Sequence, residues 1–305
     1  MKLSIVTTMY HSASHLEEFY TRVSAEAKKL TEDFEIIFVN DGSPDASLEI
    51  AVSLFEKDEK VRVIDLSKNF GHHRAIMTGL AHARGKLVFL LDCDLEEDPE
   101  LLDKFHRELK SSGADVVYGV QERRKGGVFD RISGSIFYWL INLLSNDHIP
   151  ANVITARLMS QRYVAALVEH KDREIFLVGL WVITGFKQVP LLVKKHDKSK
   201  TTYNFTRKIT NFVNALTSFS NVPLVITFYL GCVILFISSI AAFRLVVRKL
   251  LYGSLLVGWP SLIISIWFLG GLTIFCLGLI GIYISKIFVE IKRRPYTVIR
   301  KHYER

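Results

Sequence analysis

The chain has little of what staples or tags a fold. Its 305 residues include three cysteines, Cys93, Cys232 and Cys276, and no Cys-x-x-Cys pair. That spacing implies neither a zinc site nor a disulfide framework. Cys232 and Cys276 lie in apolar runs and Cys93 lies between two aspartates, so all three read as small buried hydrophobes. The phosphate-cradling pattern GxxxxGK[ST] is missing, and so is GxGxxG. ATPase and dinucleotide-binding readings lose their support with them. The start, Met1-Lys2-Leu3-Ser4-Ile5-Val6, is too short an apolar run for a signal peptide. It reads as a first strand, and the N-terminal domain is expected to stay in the cytosol. No internal repeat or low-complexity tract is evident.

What is present is uneven. Hydrophobic residues make up 49% of the chain, an ordinary share, but the excess sits in the last third. The length suggests about two domains. The formal net charge is +8. No nucleic-acid-reading module accompanies that charge, so it points to anionic lipid rather than to nucleic acid.

Up to about Gly119 the pattern alternates. Apolar, β-branched runs cover Leu3–Thr7, Phe34–Val39, Val61–Leu66, Leu87–Leu91 and Ala114–Tyr118, with amphipathic stretches of helical length at Ser14–Leu30, Asp45–Glu56, His72–Arg84 and Pro99–Ser111. This order predicts an α/β fold with a mostly parallel sheet and helices on both faces. Pro99 fits the first turn of its helix, where its missing N–H costs nothing. From Gln121 to about Ser145 a basic start gives way to an amphipathic, aromatic stripe, suited to core packing or to a membrane surface. The stretch from Ala151 to Lys195 is mixed. A basic loop follows at Lys194–Lys200, and 206–221 reads as an amphipathic juxtamembrane helix. Two apolar segments, about 222–246 and 256–285, are each long enough to cross ~30 Å of hydrocarbon at ~1.5 Å per residue. Arg244, Arg248 and Lys249 are placed in the loop between them. The heavier basic tail, which includes Lys286, Lys292, Arg293, Arg294, Arg300, Lys301 and Arg305, is expected on the cytoplasmic side. The domains are therefore a catalytic unit over 1–205, the linking helix, and a transmembrane hairpin with its tail over 222–305. This makes a multi-pass protein of the cell membrane with both termini in the cytoplasm.

Ligands of an open parallel sheet bind beyond the carboxyl ends of its strands. Those ends carry Thr7, Thr8 and Tyr10, then Asn40-Asp41-Gly42-Ser43, then Ser67-Lys68-Asn69, then Asp92-Cys93-Asp94. Any one of these sets could be a turn or a cap. Four on one rim favour a site. Asp92-x-Asp94 offers the hard oxygens that Mg²⁺ or Mn²⁺ accept, with diphosphate oxygens completing the shell. Glu96, Glu97 and Asp98 follow, a density of carboxylates that repels itself without a cation. Asp98 is the natural cap for the helix near Pro99. Arg123, Arg124, Arg131, Lys194, Lys195, Lys198 and Lys200 are candidates for gripping phosphate.

In these stretches the chain resembles family 2 glycosyltransferases of the GT-A fold, and among them the polyprenyl-phosphate type, such as dolichol-phosphate mannose synthases and bactoprenol glucosyltransferases. The matching residues are Val39-Asn40-Asp41-Gly42-Ser43-Pro44-Asp45, Leu66-Ser67-Lys68-Asn69-Phe70-Gly71-His72, Leu91-Asp92-Cys93-Asp94-Leu95-Glu96-Glu97-Asp98-Pro99-Glu100, Arg157-Leu158-Met159-Ser160 and Ser218-Phe219-Ser220-Asn221-Val222-Pro223-Leu224. The resemblance implies inverting transfer of a sugar from a nucleotide-diphosphate sugar to a polyprenyl phosphate, supplying lipid-linked sugar for cell-surface glycans. It implies that Asp41 binds the base, with Thr7, Thr8, Tyr10, Ser67, Asn69, Asp92 and Asp94 around the donor. Asp92, Asp94 and Glu96 would hold the metal. Arg124, Arg131, Lys195, Lys198 and Lys200 would meet the lipid phosphate. Asp94, Asp98, Arg124 and Arg131 form the catalytic set, and the family suggests small homo-oligomers.

Four positions depart from the family. The first strand ends in Thr8-Met9-Tyr10-His11-Ser12 in place of a Pro-x-Tyr-Asn-Glu-like motif. Gln121 replaces an arginine. The clamp loop is rich in lysine. Thr155 stands where many relatives carry a proposed base. A phosphate acceptor needs no base, because its second pKa of about 6 leaves it largely dianionic at neutral pH. A sugar-hydroxyl acceptor would need one, with Asp98 or Glu97 as the candidate. An inactive membrane scaffold is the third reading.

Overall fold

The computed structural model describes residues 1–121, 150, 152–172, 177–194, 222–252 and 258–305. In chain order these form β1 (Leu3–Met9), α1 (Leu16–Leu30), β2 (Phe34–Asn40), α2 (Ser47–Lys57), β3 (Val61–Leu66), α3 (His72–Ala81), β4 (Leu87–Leu90), α4 (Leu101–Ser112), β5 (Val116–Gln121), β6 (Val153–Ser160), α5 (Gln161–Glu169), α6 (Leu177–Ile183), β7 (Gln188–Val193), α7 (Val222–Tyr252), α8 (Trp259–Ile291) and β8 (Ile299–Tyr303). The elements divide into two compact units. β1 to β7 and the last residues, Arg294–Arg305, belong to one, and the two long helices belong to the other.

The first unit is built on one eight-stranded sheet in the order β7-β5-β6-β4-β1-β2-β3-β8. Strands β3, β2, β1 and β4 run parallel, β6 is antiparallel to both β4 and β5, and β5 is parallel to β7. Every residue of β1, β2 and β3 is buried, as the apolar runs predict for strands covered on both faces. On one face, Phe19 and Val23 of α1, Ala51 of α2 and Phe105 of α4 pack on Ile5, Phe38, Phe89 and Leu158. The rings of Phe89 and Phe105 meet edge-on at 6.2 Å. Each of the larger side chains, fully buried, stabilises the unit by about 1.5–3 kcal/mol. On the other face lies α3, whose Gly79 sits so close to the sheet that a Cβ there would come within 2.5 Å of a Val6 methyl.

At the opposite end of the sheet from the rim lies a buried ionic layer. Buried Glu35 accepts from the Ser4 hydroxyl at 2.6 Å, the Arg84 amide at 2.8 Å and Arg62 Nη1 at 2.7 Å. Arg62 Nη2 and Arg84 Nη2 both reach Glu304, at 2.7 and 2.9 Å. The C-terminal residues are thereby tied to the sheet. The sequence reading leaves this stretch as a basic tail. In the structure β8 pairs antiparallel with β3, because its alternating Ile299 and Tyr303 are half-buried while its charged residues face outward or find acids.

Two further expectations change. Pro99 lies ahead of α4, whose N-cap residue is Glu100. Arg22 of α1 binds both Asp98, at 3.1 Å, and Glu100, at 2.7 Å, ahead of that helix. Arg244, Arg248 and Lys249 belong to α7 rather than to a loop. Arginine and lysine are good helix formers and suit a helix C-terminus.

The second unit carries α7, 31 residues, and α8, 33 residues. Within α8, Ser265–Ile291 has a mean hydropathy of 2.2 and is the one described segment long and apolar enough to cross a membrane. Large apolar side chains of both helices are exposed, among them Phe228, Phe236, Phe243, Trp267, Phe268 and Phe275. A helix apolar on all sides and exposed suits a lipid surrounding.

Candidate active site

The carboxyl ends of β1 to β4 form one rim, and most of the expected residues lie on it. At the end of β2, Asp41 is buried, and its two oxygens accept the amides of Phe70, at 2.7 Å, and Gly71, at 3.0 Å. Burial pushes its carboxyl above the ordinary value, against the pull of those two amides. Gly42 takes a positive φ of 63°, and a Cβ there would stand 2.5 Å from the Asn69 amide nitrogen. The Asp41-Gly42 turn and the Ser67–Asn69 loop are therefore in backbone contact, which only glycine allows. Asp45 fastens the next loop. Burial would raise its carboxyl, yet hydrogen bonds from Ser43, Ser47 and the Ala13 amide hold it well below the usual carboxylate range.

Across the rim, Cys93 turns inward and donates its thiol to the Thr8 carbonyl at 3.0 Å. Burial pushes that thiol up to about 12. Asp92 and Asp94 on either side are half-buried. Leu95 then adopts φ 56°, a left-handed conformation that leucine rarely takes. Such strain costs about 1–3 kcal/mol and clusters at functional turns. Asp94 Oδ1 accepts the Glu96 amide at 2.9 Å, and Glu96 is buried beside it. His72, at the start of α3, joins the two sides. Its Nδ1 lies 3.1 Å from the Thr8 hydroxyl and its Nε2 lies 3.4 Å from Asp92 Oδ1. Sequence reasoning missed His72 as a site residue. It sits in the quoted Phe70-Gly71-His72 stretch, and an imidazole at a helix start on the rim was the available signal.

The donor set fits a shared cation, not a closed cage. No described group of three or more His, Cys, Asp or Glu side chains gathers tightly enough to hold an ion alone. Two hard carboxylates with room for external oxygens is what Mg²⁺ or Mn²⁺ uses when diphosphate completes its shell.

The remaining carboxylates are engaged elsewhere. Glu97 is fully buried, and its oxygens accept the amides of Thr155, at 3.2 Å, and Ala156, at 2.9 Å. Asp98 faces Arg22. The Arg157-Leu158-Met159-Ser160 stretch holds the fold. Arg157 is 1% exposed, donates to the carbonyls of Ile154 and Thr155, and stacks 2.8 Å above the Trp181 ring. Burial lowers its guanidinium to about 9. Ser160 caps α5. Arg157 also lines a cavity of about 290 Å³ with Tyr118, Trp181 and Gln188, and none of the rim carboxylates borders it.

Thr7 is buried within β1, and Tyr10 is exposed just beyond it. Ser67 gives both its amide and its carbonyl to the C-terminal residues. Arg123, Arg124, Arg131, Lys195, Lys198 and Lys200 lie outside the described residues, as does the helix expected over 206–221.

The comparisons with known proteins agree with this geometry. Residues 4–167 match the model of Glycosyl transferase family 2. A Mycobacterium tuberculosis protein named as a glycosyltransferase is 56% identical over 303 residues, 99% of this chain and 89% of its own. The bactoprenol glucosyl transferase of Shigella phage SfII is 31% identical over 308 residues, 99% of this chain and 98% of its own. In fold, the chain is similar to the glucosyl-3-phosphoglycerate synthase of Mycobacterium tuberculosis crystallised with Mn²⁺, uridine diphosphate and phosphoglyceric acid. That likeness has a TM-score of 0.52 and 18% identity, and it covers 71% of this chain and 78% of the other.

Proposed function

The chain belongs to glycosyl transferase family 2, and from that premise we propose that it moves a sugar, with inversion, from a nucleotide-diphosphate sugar to a polyprenyl phosphate at the cytoplasmic face of the cell membrane. The carrying observation is likeness over the whole length, long helices included, to a protein named bactoprenol glucosyl transferase. A sugar acceptor in water would leave the exposed apolar helices without a role.

Asp41, with Thr8, Ser67 and Asn69, binds the nucleotide. Asp92 and Asp94, with Glu96 beside them, hold a Mg²⁺ or Mn²⁺ ion, which when bound neutralises charge on the departing diphosphate. His72 fixes the Asp92 carboxylate against Thr8. Arg124, Arg131, Lys195, Lys198 and Lys200 receive the phosphates. The acceptor phosphate, largely dianionic, attacks the sugar carbon once positioned, and the bond to the diphosphate oxygen breaks. No protein base takes a proton in this step. That suits Thr155, and it suits the engagement of Glu97 with β6 and of Asp98 with Arg22.

The catalytic unit and both termini lie in the cytoplasm, with α7 and α8 crossing as a pair. Supporting this, the residues after α8 pair with β3 of the same sheet that the N-terminus begins. A chain that leaves a sheet and returns to it crosses a bilayer an even number of times.

The test is incubation of the purified full chain with Mg²⁺ or Mn²⁺, labelled nucleotide sugars and polyprenyl phosphate. Label in a mild-acid-labile lipid is the expected result. Label found only in a preformed saccharide, or no transfer from any donor, would overturn the proposal.

A further inference from the structure

The chain that follows α8 does more than cover an edge of the sheet. At the start of β8 the Val298 carbonyl accepts the Ser67 amide at 2.9 Å. Ile299 pairs with Leu66 and Lys301 with Asp65, so one residue of β8, Arg300, has no opposite number. A bulge of this kind re-aims a side chain. The Arg300 guanidinium donates to the Ser67 carbonyl at 2.6 Å, and its other arm stands 3.6 Å from Asp65 Oδ2. Asp65 is buried, with 3% of its side chain exposed, and among the described residues Arg300 is the only cation within ion-pair distance. The other Asp65 oxygen accepts Asn40 Nδ2 at 2.8 Å, and Asn40 Oδ1 accepts the Ser43 amide at 3.1 Å. One guanidinium thus reaches two parts of the rim. It holds Ser67 directly, and through Asp65 and Asn40 it holds the Asp41–Ser43 turn. These are the two loops that touch where Gly42 meets Asn69.

We infer that Arg300 is a positioning residue for the donor nucleotide: through Ser67 and the Asp65–Asn40 relay it sets the gap between the Asp41 turn and the Ser67–Asn69 loop. The inference rests on the reading of those loops as the nucleotide site. It also means that the donor pocket is completed by residues lying beyond the last apolar helix. Removing Arg300 leaves a buried carboxylate without its cation, and the relay relaxes toward other partners.

Full-length chain in detergent, with Mn²⁺, is first titrated with UDP, GDP and dTDP, and the tightest binder is the probe. Arg300→Ala is expected to weaken binding about tenfold, because the two loosened loops must be set in place again when the nucleotide binds. It should raise the KM for the matching nucleotide sugar while kcat stays near its original value. Arg300→Lys should recover part of the affinity, since a point charge can still face Asp65 while the fork to the carbonyl is lost. Arg305→Ala is the control. That residue also anchors the C-terminus, through the carbonyls of Phe55 and Glu56, and touches no rim residue, so its affinity should stay within about twofold of the original. Amide hydrogen exchange at residues 67–69 should quicken in Arg300→Ala and not in Arg305→Ala, and this readout needs no ligand. If the unaltered chain binds a nucleotide and Arg300→Ala binds it equally well, the inference alone is wrong. Equal weakening by both substitutions also overturns it, because strand docking would then suffice. If the unaltered chain binds none of the three nucleotides, the reading of the site and the inference fall together.

Discussion

Asp41→Asn separates a structural carboxylate from a merely polar one. In the structure both Asp41 oxygens accept backbone amides, from Phe70 at 2.7 Å and from Gly71 at 3.0 Å. Asparagine keeps one acceptor and puts an NH₂ against the other amide. One charge-assisted bond, worth about 1.5–3 kcal/mol, is lost, and a buried N–H then faces a donor. A term of opposite sign reduces the sum. Burial raises the Asp41 carboxyl above its ordinary value, so the charge is held at a cost that the neutral amide avoids. The net loss is therefore placed at about 1–2 kcal/mol, near the lower end of that range. Urea unfolding at neutral pH measures it. The pH profile gives a second reading. A carboxyl with a raised folded pKa contributes stability that is present below the unfolded value and is lost as pH rises through the folded one. Asp41→Asn should remove that part of the profile and lose most nucleotide binding. A variant as stable as the original within about 0.3 kcal/mol, with its pH profile unchanged, would refute the assignment of both amides to this carboxylate.

Asp94→Ala should abolish transfer and leave membrane association unchanged, and normal turnover in that variant would remove Asp94 from the site. Cys93 should resist iodoacetamide in the folded chain at pH 8, because its thiol is buried and held up to about 12; peptide mapping that finds Cys93 alkylated as fast as an unfolded control would contradict the packing. Glu304→Gln should make the catalytic unit less stable at neutral pH by about 1 kcal/mol or less, as suits a partly exposed ion pair. The carboxylate lies below its ordinary value because Arg62 and Arg84 face it, so its contribution is full above that value and fades as pH falls through the folded one. The difference between variant and original in a thermal-unfolding series should shrink toward acid pH, and a constant difference would be evidence against the ion pairs.

The legible part of the fold was the part governed by local pattern. β1, β2, β3 and β4 begin where their apolar runs begin, because strands covered on both faces leave an unbroken signature in sequence. The rim was readable for the same reason, since polar residues that end such runs must lie at one end of the sheet. β6, β7 and β8 were not readable. They are held by antiparallel or edge pairing with strands far away in the chain, and β8 carries Arg300, Lys301 and His302 in five residues. No local propensity marks it as a strand. Its partners, Arg62, Arg84 and Asp65, become visible only once the sheet exists. His72 was hidden in a similar way, because its two contacts come from β1 and from the turn after β4.

The five acids that follow β4 looked like one cluster in sequence, and the structure sorts them by partner. Glu97 points inward and supplies acceptors to two amides of β6, the half-buried one of Thr155 and the buried one of Ala156. Leaving the buried Ala156 amide unsatisfied would cost about 1–3 kcal/mol, which gives Glu97 a structural role. Asp98 is drawn to Arg22. Asp92 and Asp94 remain on the rim, with His72 and the Glu96 amide as neighbours. A chain built for a hydroxyl acceptor would need a carboxylate exposed to that acceptor and poised to take a proton. Among the described residues, Thr155 within β6 is the position that could have held one, and Glu97 is bonded to the Thr155 amide itself. Among the described residues the sorting is in keeping with the proposed acceptor, a phosphate that arrives already ionised. The same logic makes Thr155→Asp informative. A carboxylate added beside Glu97 should slow transfer to a polyprenyl phosphate by repulsion. If it instead speeds transfer to that lipid, the phosphate must lose a proton before it attacks, and the reading that no protein base is needed is wrong.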